Sequence, residues 1–187
     1  MDFPNHDVRL ETERLVLRPF DDADFETAVP YYRDAEFLRL MEGNPPAEPV
    51  TAAYLRVAGE AMALQGWYFA IDHKVGRRAI GEVCLQWMNL ERGQVAGERI
   101  VRSPIGIWDK RLWGRGYGSE VVRRLMRHAF NELAVDRFCA MDVKRDNVLS
   151  RALWTACGLR VVRRLQAGEI LDFEITRAQY GPGGVPR

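Results

Sequence analysis

Trp113-Gly114-Arg115-Gly116-Tyr117-Gly118-Ser119-Glu120 stands between the apolar run Ile105-Gly106-Ile107-Trp108 and an amphipathic stretch that begins at Val121. Three glycines alternate with larger residues, so the backbone can turn sharply and expose successive N–H groups. A helix starting directly behind them adds the positive end of its dipole to those donors. Strand, glycine turn and helix start together form a cradle for an anion, most often a phosphate. The spacing is not the dinucleotide fingerprint, because the third glycine falls one residue early for G-x-G-x-x-G. Nor is it a P-loop, since no Gly-Lys-Ser/Thr closes it.

Downstream, Val121, Val122, Leu125, Met126, Ala129, Phe130 and Leu133 form one helical stripe. Arg123, Arg124, Arg127, His128 and Glu132 lie opposite, a face expected in solvent. Asp136 to Val143 reads as a strand reached through that helix, hence parallel to the strand before the turn. A helix over Val148–Cys157, ended by Gly158, and strands over Leu159–Leu165 and Glu169–Thr176 follow. Upstream, Arg14–Phe20 is a first strand, and Asp21, Asp22 and Asp24 open a helix that Pro30 should bend or split. Phe37 to Met41 suggests a further short turn, and the Pro-rich stretch 43–49 a loop. Thr51 caps a helix that Gly66 ends. Trp67–Ile71, Ala79–Met88 and Arg99–Trp108 read as three strands, with a polar loop over 89–98. In the second of these, Val83, Leu85 and Trp87 share one face and Glu82, Cys84 and Gln86 the other. The order predicts an α+β fold: a mixed, mostly antiparallel sheet flanked by helices, as one domain over 1–180 with a flexible tail over 181–187.

The chain's 187 residues suffice for a sizeable core, with 47% hydrophobic and 28% charged residues. A net charge of +1 gives no nucleic-acid footprint. No apolar run is long enough to span a membrane, and the acidic start lacks the features of a signal peptide. Three widely spaced cysteines, Cys84, Cys139 and Cys157, read as buried free thiols, which points to the cytoplasm. His6, His73 and His128 lie far apart without ligand spacing, so no metal is expected.

Ser103-Pro-Ile-Gly-Ile-Trp108, the glycine turn, Asn147-Val-Leu-Ser150 and Cys157-Gly158-Leu159 occur in the order that resembles the Gcn5-related N-acetyltransferase superfamily. Within it the chain is most similar to the branch of ribosomal-protein N-terminal acetyltransferases (RimJ/RimL-like). Glu13–Phe20 and Asp172–Tyr180 match that branch too. The resemblance implies a splayed parallel strand pair holding acetyl-CoA as co-substrate. Backbone groups of Ile107 and Trp108 would pair with the pantetheine arm like an added strand. Amides of Arg115, Gly116, Tyr117, Gly118 and Ser119 would hold the pyrophosphate, and Asn147 would touch the pantetheine. Two positions depart from the common pattern. Trp113 stands where many members have Gln or Arg, a form common in this branch. Trp154 stands where many have the Tyr thought to protonate the leaving thiolate; an indole N–H cannot serve so. Ser150 matches a serine given that role in the branch and is the candidate acid. A structural serine in a first helical turn is the alternative.

Acetyl transfer needs a neutral amine, and an α-amine of pKa about 7.7–8.0 is nearer that state at pH 7 than a lysine of about 10.4. A backbone N–H in the Ile107–Trp108 segment would polarise the thioester carbonyl. Glu82 is the first candidate base and Asp109 the second. Glu82 is weighed against an ordinary solvent-facing strand position, Asp109 against a turn-capping acid. Trp67, Tyr68, Trp87, Trp108 and Trp113 are read mainly as core, with Tyr68 and Trp87 as candidates to line an acceptor groove. The function expected is N-acetyl transfer to a protein N-terminus or a small-molecule amine by direct attack in a ternary complex. The alternatives are a non-catalytic acyl-CoA-binding module and, more weakly, a nucleotide-binding protein. The expected partners are an amine acceptor, with no nucleic acid and no membrane; a homodimer stays open.

Overall fold

The computed structural model describes residues 3–41, 49–88 and 97–181. The chain divides into two compact units, Met1–Cys84 with Ile105–Tyr117, and Leu85–Pro104 with Gly118–Arg187. The loop expected over 43–49, most of that over 89–98 and the tail beyond 181 lie outside the described residues.

The first unit holds β1 (Leu10–Glu11), β2 (Leu15–Pro19), α1 (Asp22–Tyr32), α2 (Ala35–Met41), α3 (Ala52–Ala63) and β3 (Gly66–His73). The first part of β4 (Arg78–Trp87) and β6 (Ile105–Ile107) complete it. Leu15 and Leu17 stand opposite His73 and Ile71 in an antiparallel ladder. Asp21 caps α1 by accepting from the Ala23 and Asp24 amides, while the Asp24 carboxylate returns to the Asp21 N–H. Pro30 does not split α1, which runs unbroken to Tyr32. The proline lies in the last turn, where its missing N–H removes only one helical bond. Thr51 caps α3 by accepting from the Tyr54 amide. Gly66 does not end that helix but opens β3; the Leu64 and Gln65 amides close α3 first, on Glu60 and Met62. Phe20, Phe25, Ala28, Phe37, Tyr68, Cys84 and Trp108 belong to one buried cluster.

The alternation in β4 put Glu82, Cys84 and Gln86 on one face, with a solvent-facing position as the alternative for Glu82; all three are buried, as Cys84 was expected to be. The strand is covered on both sides, which alternation alone cannot report. Its Gly81 is obligatory, because a Cβ there would stand 2.3 Å from the Gly106 carbonyl oxygen on β6.

The second unit holds the end of β4, then β5 (Ile100–Arg102), β7 (Arg137–Lys144), α5 (Val148–Ala156), β8 (Arg160–Leu165), β9 (Ile170–Thr176) and α6 (Arg177–Tyr180). The helix α4 (Tyr117–Asn131) begins in the first unit and continues in the second. β5 and β7 pair in parallel, Val101 opposite Phe138, and β9 lies antiparallel to both β7 and β8. The strand expected over Arg99–Trp108 is two strands, β5 and β6, interrupted at Ser103-Pro104. Pro104 has no N–H to give a ladder, and the Ser103 amide turns to the Cys139 carbonyl. The α4 stripe from Val121 to Phe130 is buried as predicted. His128, placed on the solvent face by that wheel, is only 5% exposed, with Nδ1 at 2.8 Å from the Glu132 carboxylate. Leu133 lies past the helix end. The short α6 had no hydrophobic period to announce it; Thr176 and Gln179 form its capping box. The result is the α+β architecture the sequence predicts, mostly antiparallel with one parallel pair.

Candidate active site

The first unit supplies a strand edge and a buried carboxylate. The Trp108 amide donates to the Ile80 carbonyl at 2.9 Å. Antiparallel pairs alternate between bonded and non-bonded, so Ile107, opposite Gly81, turns its N–H and C=O away from β4. Of the two residues expected to meet a pantetheine arm, Ile107 therefore presents the outward amide, and Trp108's is committed to the sheet. The Ile107 carbonyl accepts from Trp113 Nε1 at 2.7 Å, which fastens the start of the glycine turn to β6. Trp108 itself is 1% exposed, stacked on Tyr31 with its edge to Phe20.

Glu82 stands opposite Gly106 on β4, one register step from Ile107. It is 7% exposed and sits beside the aromatic cluster. Both its oxygens are held: Tyr32 donates its phenol to Oε1, and Tyr68 donates to Oε2 at 2.8 Å. A buried carboxylate needs such donors, since ionisation without them is costly. Tyr68 is stacked on Phe20 at 4.3 Å. Burial, and next the charge of Glu82, hold its phenol well above the usual range, so it remains a donor.

Asp109 occupies a different role. Its carboxylate accepts from the Arg111 amide and guanidinium, capping the 3-10 turn Lys110–Leu112. The Arg111 guanidinium holds its pKa below the usual carboxylate value. A carboxylate so paired is a weaker base than an unpaired one.

The glycine turn has the backbone its sequence calls for. Gly114 and Gly116 take φ of 70° and 81°, the region open to glycine. Gly116 directly precedes α4 and has no side chain to cap it, leaving the first helical amides to an outside acceptor. Arg14 reaches this turn from the start of β2. Its Nη1 donates to the Arg115 carbonyl at 3.1 Å, and its guanidinium lies 4.3 Å over the Tyr117 ring. Its Nη2 is 3.5 Å from the place a Gly116 side chain would take. His73 Nε2 and the Tyr117 hydroxyl are 3.0 Å apart. A phosphate-sized anion fits this chemistry: free amides, an empty side-chain position and an adjacent guanidinium.

In the second unit, Asn147 caps α5, accepting from the Ser150 amide at 3.0 Å. Trp154 Nε1 donates to Ser150 Oγ at 3.0 Å, so the serine O–H remains to donate elsewhere. Gly118, in the first turn of α4, faces Leu153 at 3.4 Å. The Ser119 carbonyl accepts from the Cys157 thiol. All three cysteines are buried, and none of them forms a disulfide. Burial pushes the Cys157 and Cys139 thiols up to about 11 and about 12. Among the described residues no group of three His, Cys, Asp or Glu side chains converges to hold a metal ion. No helix among them is long and apolar enough to cross a membrane.

Sequence reasoning missed Tyr32, Arg14 and His73. Tyr32 carried no motif, Arg14 stood at the start of the first strand and His73 was weighed only as a metal ligand. Their partners lie 50, 101 and 44 residues away, and no local pattern encodes such pairs.

Residues 14–160 match the family model described as acetyltransferase (GNAT) domain. A curated relative, the uncharacterized N-acetyltransferase p20 of Bacillus licheniformis, is 28% identical over 168 residues, 88% of this chain and 86% of its own. Among solved structures, Mycobacterium smegmatis RimJ in complex with CoA-disulfide superposes with a TM-score of 0.74 at 16% identity, covering 99% of this chain and 94% of that one. Spermidine N-acetyltransferase from Vibrio cholerae, in complex with CoA and spermine, gives 0.71 at 16% identity, over 89% and 98%.

Proposed function

The chain belongs to the GNAT acetyltransferase family and is an acetyl-CoA-dependent acyltransferase; from that premise we propose that it acetylates a primary α-amine by direct attack, with Glu82 as the base. The observation that carries this reading is the buried carboxylate held by two phenols one register step from the outward amide of Ile107.

Acetyl-CoA supplies the activated acetyl group. The amides from Arg115 to Ser119, with Arg14 beside them, bind its pyrophosphate. The outward Ile107 N–H serves the pantetheine arm and the thioester oxygen, where developing negative charge rewards a fixed donor. Glu82 takes the amine's proton. Asn147, which caps α5, and Ser150, whose Oγ accepts from the Trp154 indole, are assigned to the pantetheine and to protonating the departing sulfur through the family resemblance alone. A thiol of pKa about 8.5 is a good leaving group, so this last contribution is small. Cys157 and Cys139, with thiols pushed up to about 11 and about 12, are poor nucleophiles, which favours direct transfer over an acyl-cysteine.

An α-amine stands ahead of a polyamine as acceptor. Asp34, just before α2, and Glu36 within it are both bound by Lys110, each at 2.9 Å, and Asp109 is bound by Arg111. These acids are already neutralised by the protein's own cations, whereas a polyamine site needs unpaired ones. Three cysteines that form no disulfide support a reducing, cytoplasmic setting. Incubation with acetyl-CoA and a panel of peptides, amino acids, polyamines and aminoglycosides, followed by thiol release, tests the reading. Release with free-N-terminus peptides is expected; release with spermidine alone would overturn the acceptor class.

A further inference from the structure

We propose that Tyr32 and Tyr68 are positioning residues for Glu82: each phenol holds one carboxylate oxygen, fixing its aim at the acceptor amine. The inference rests on the acetyl-transfer reading above and deepens it. Tyr32 comes from the last position of α1, where its ring meets Phe37 of α2 edge-on at 5.1 Å. Tyr68 comes from β3 and is locked by stacking on Phe20. Neither phenol can move far, because both are buried in the aromatic cluster. A carboxylate with a single donor could swing about its last torsion, whereas one held at both oxygens cannot. The titratable groups seen against Glu82 include Tyr32 from α1 and Tyr68 from β3, and the Cys84 thiol on β4 acts in turn on Tyr68. From α2, apolar Phe37 and Met41 cover Gly106, the residue paired with Glu82.

The step balances within this set. As the amine nitrogen bonds to the acetyl carbon it releases one proton, which ends on Glu82. The C–S bond breaks with its electron pair on sulfur, which takes a proton from solvent. Hydrogen bonds donated to a carboxylate favour its charged form. Removing one must therefore make Glu82 gain its proton at a higher pH, so activity is lost earlier as pH falls.

The test is the pH profile of kcat/KM for Tyr68→Phe, Tyr32→Phe and Glu82→Gln, with CoA affinity and thermal stability measured alongside. Each Tyr→Phe variant should move the acidic limb upward by about one pH unit. CoA affinity should stay within about twofold, since each phenol's bond is to Glu82 on β4. Glu82→Gln should remove the limb. An unmoved limb in both tyrosine variants, with only a lower melting temperature, would overturn the proposal and leave the phenols as packing. Should Tyr68→Phe fail to fold, Tyr32→Phe and a ¹³C carboxyl titration of Glu82 decide, and an unshifted midpoint there also overturns it. Absence of turnover by the wild-type protein with every acceptor, while CoA binds, would sink the acetyl-transfer reading and this inference with it. Turnover with an unmoved limb sinks the inference alone.

Discussion

Replacing Gly116 by valine probes the anion cradle at its narrowest point. Gly116 holds φ at 81°, which costs a residue with a Cβ roughly 1–2 kcal/mol and a β-branched one more. Space is not the obstacle, because the added Cβ would stand 3.5 Å from Arg14 Nη2, an ordinary contact. The backbone itself is. Valine relieves the strain by moving φ to negative values, which turns the amides around it away from their common focus. Each charge-assisted hydrogen bond to a phosphate contributes about 1.5–3 kcal/mol, so losing one or two weakens CoA binding by about 10-fold to about 10⁴-fold. The strain not relieved appears as a loss of melting temperature of about 2–4 °C per kcal/mol. Isothermal titration with CoA, next to a thermal melt, separates the two effects. A folded Gly116→Val protein with wild-type CoA affinity would refute the placement of the pyrophosphate at this turn.

Further outcomes follow from the same geometry. Arg14→Ala should weaken CoA about 3–30-fold and flatten the salt dependence of binding, because one guanidinium leaves the cradle. Trp154→Phe removes the indole donor to Ser150 Oγ; kcat should fall no more than about tenfold with CoA affinity retained, and Ser150→Ala should add nothing to that loss. Thiol labelling should be slow at pH 7.5 for native protein, its rate at Cys157 still climbing past pH 9 because burial pushes that thiol up to about 11. In denaturant all three cysteines should label at once.

Local chemistry made much of this molecule readable. The alternating glycines announced positive φ at Gly114 and Gly116, and the α4 stripe announced its buried face. Aspartates around position 21 and the threonine at 51 marked helix starts by the same capping physics the structure uses. What stayed hidden depends on who packs against whom. Glu82, Cys84 and Gln86 alternate as a polar face should, but helices cover that side of the first unit and turn Glu82 into a buried carboxylate. His128 sits among arginines on the wheel and is buried all the same. The break at Ser103-Pro104 was present as a proline inside a strand pattern, a signal that the apolar run on either side outweighed. Arg14, Tyr32 and His73 reach the site through contacts far apart in sequence, and a single sequence does not display those pairs.

The most direct test of the account is a steady-state assay of Glu82→Gln against the wild-type protein, with acetyl-CoA and a short peptide bearing a free N-terminus, across pH 5 to 9. The account predicts acetylated peptide and free thiol in equal amounts from the wild-type protein. It predicts a fall in kcat of about 10²–10⁴ for Glu82→Gln, largest where the amine is still protonated, with CoA affinity unchanged. A variant that turns over like the wild-type protein at every pH would contradict it.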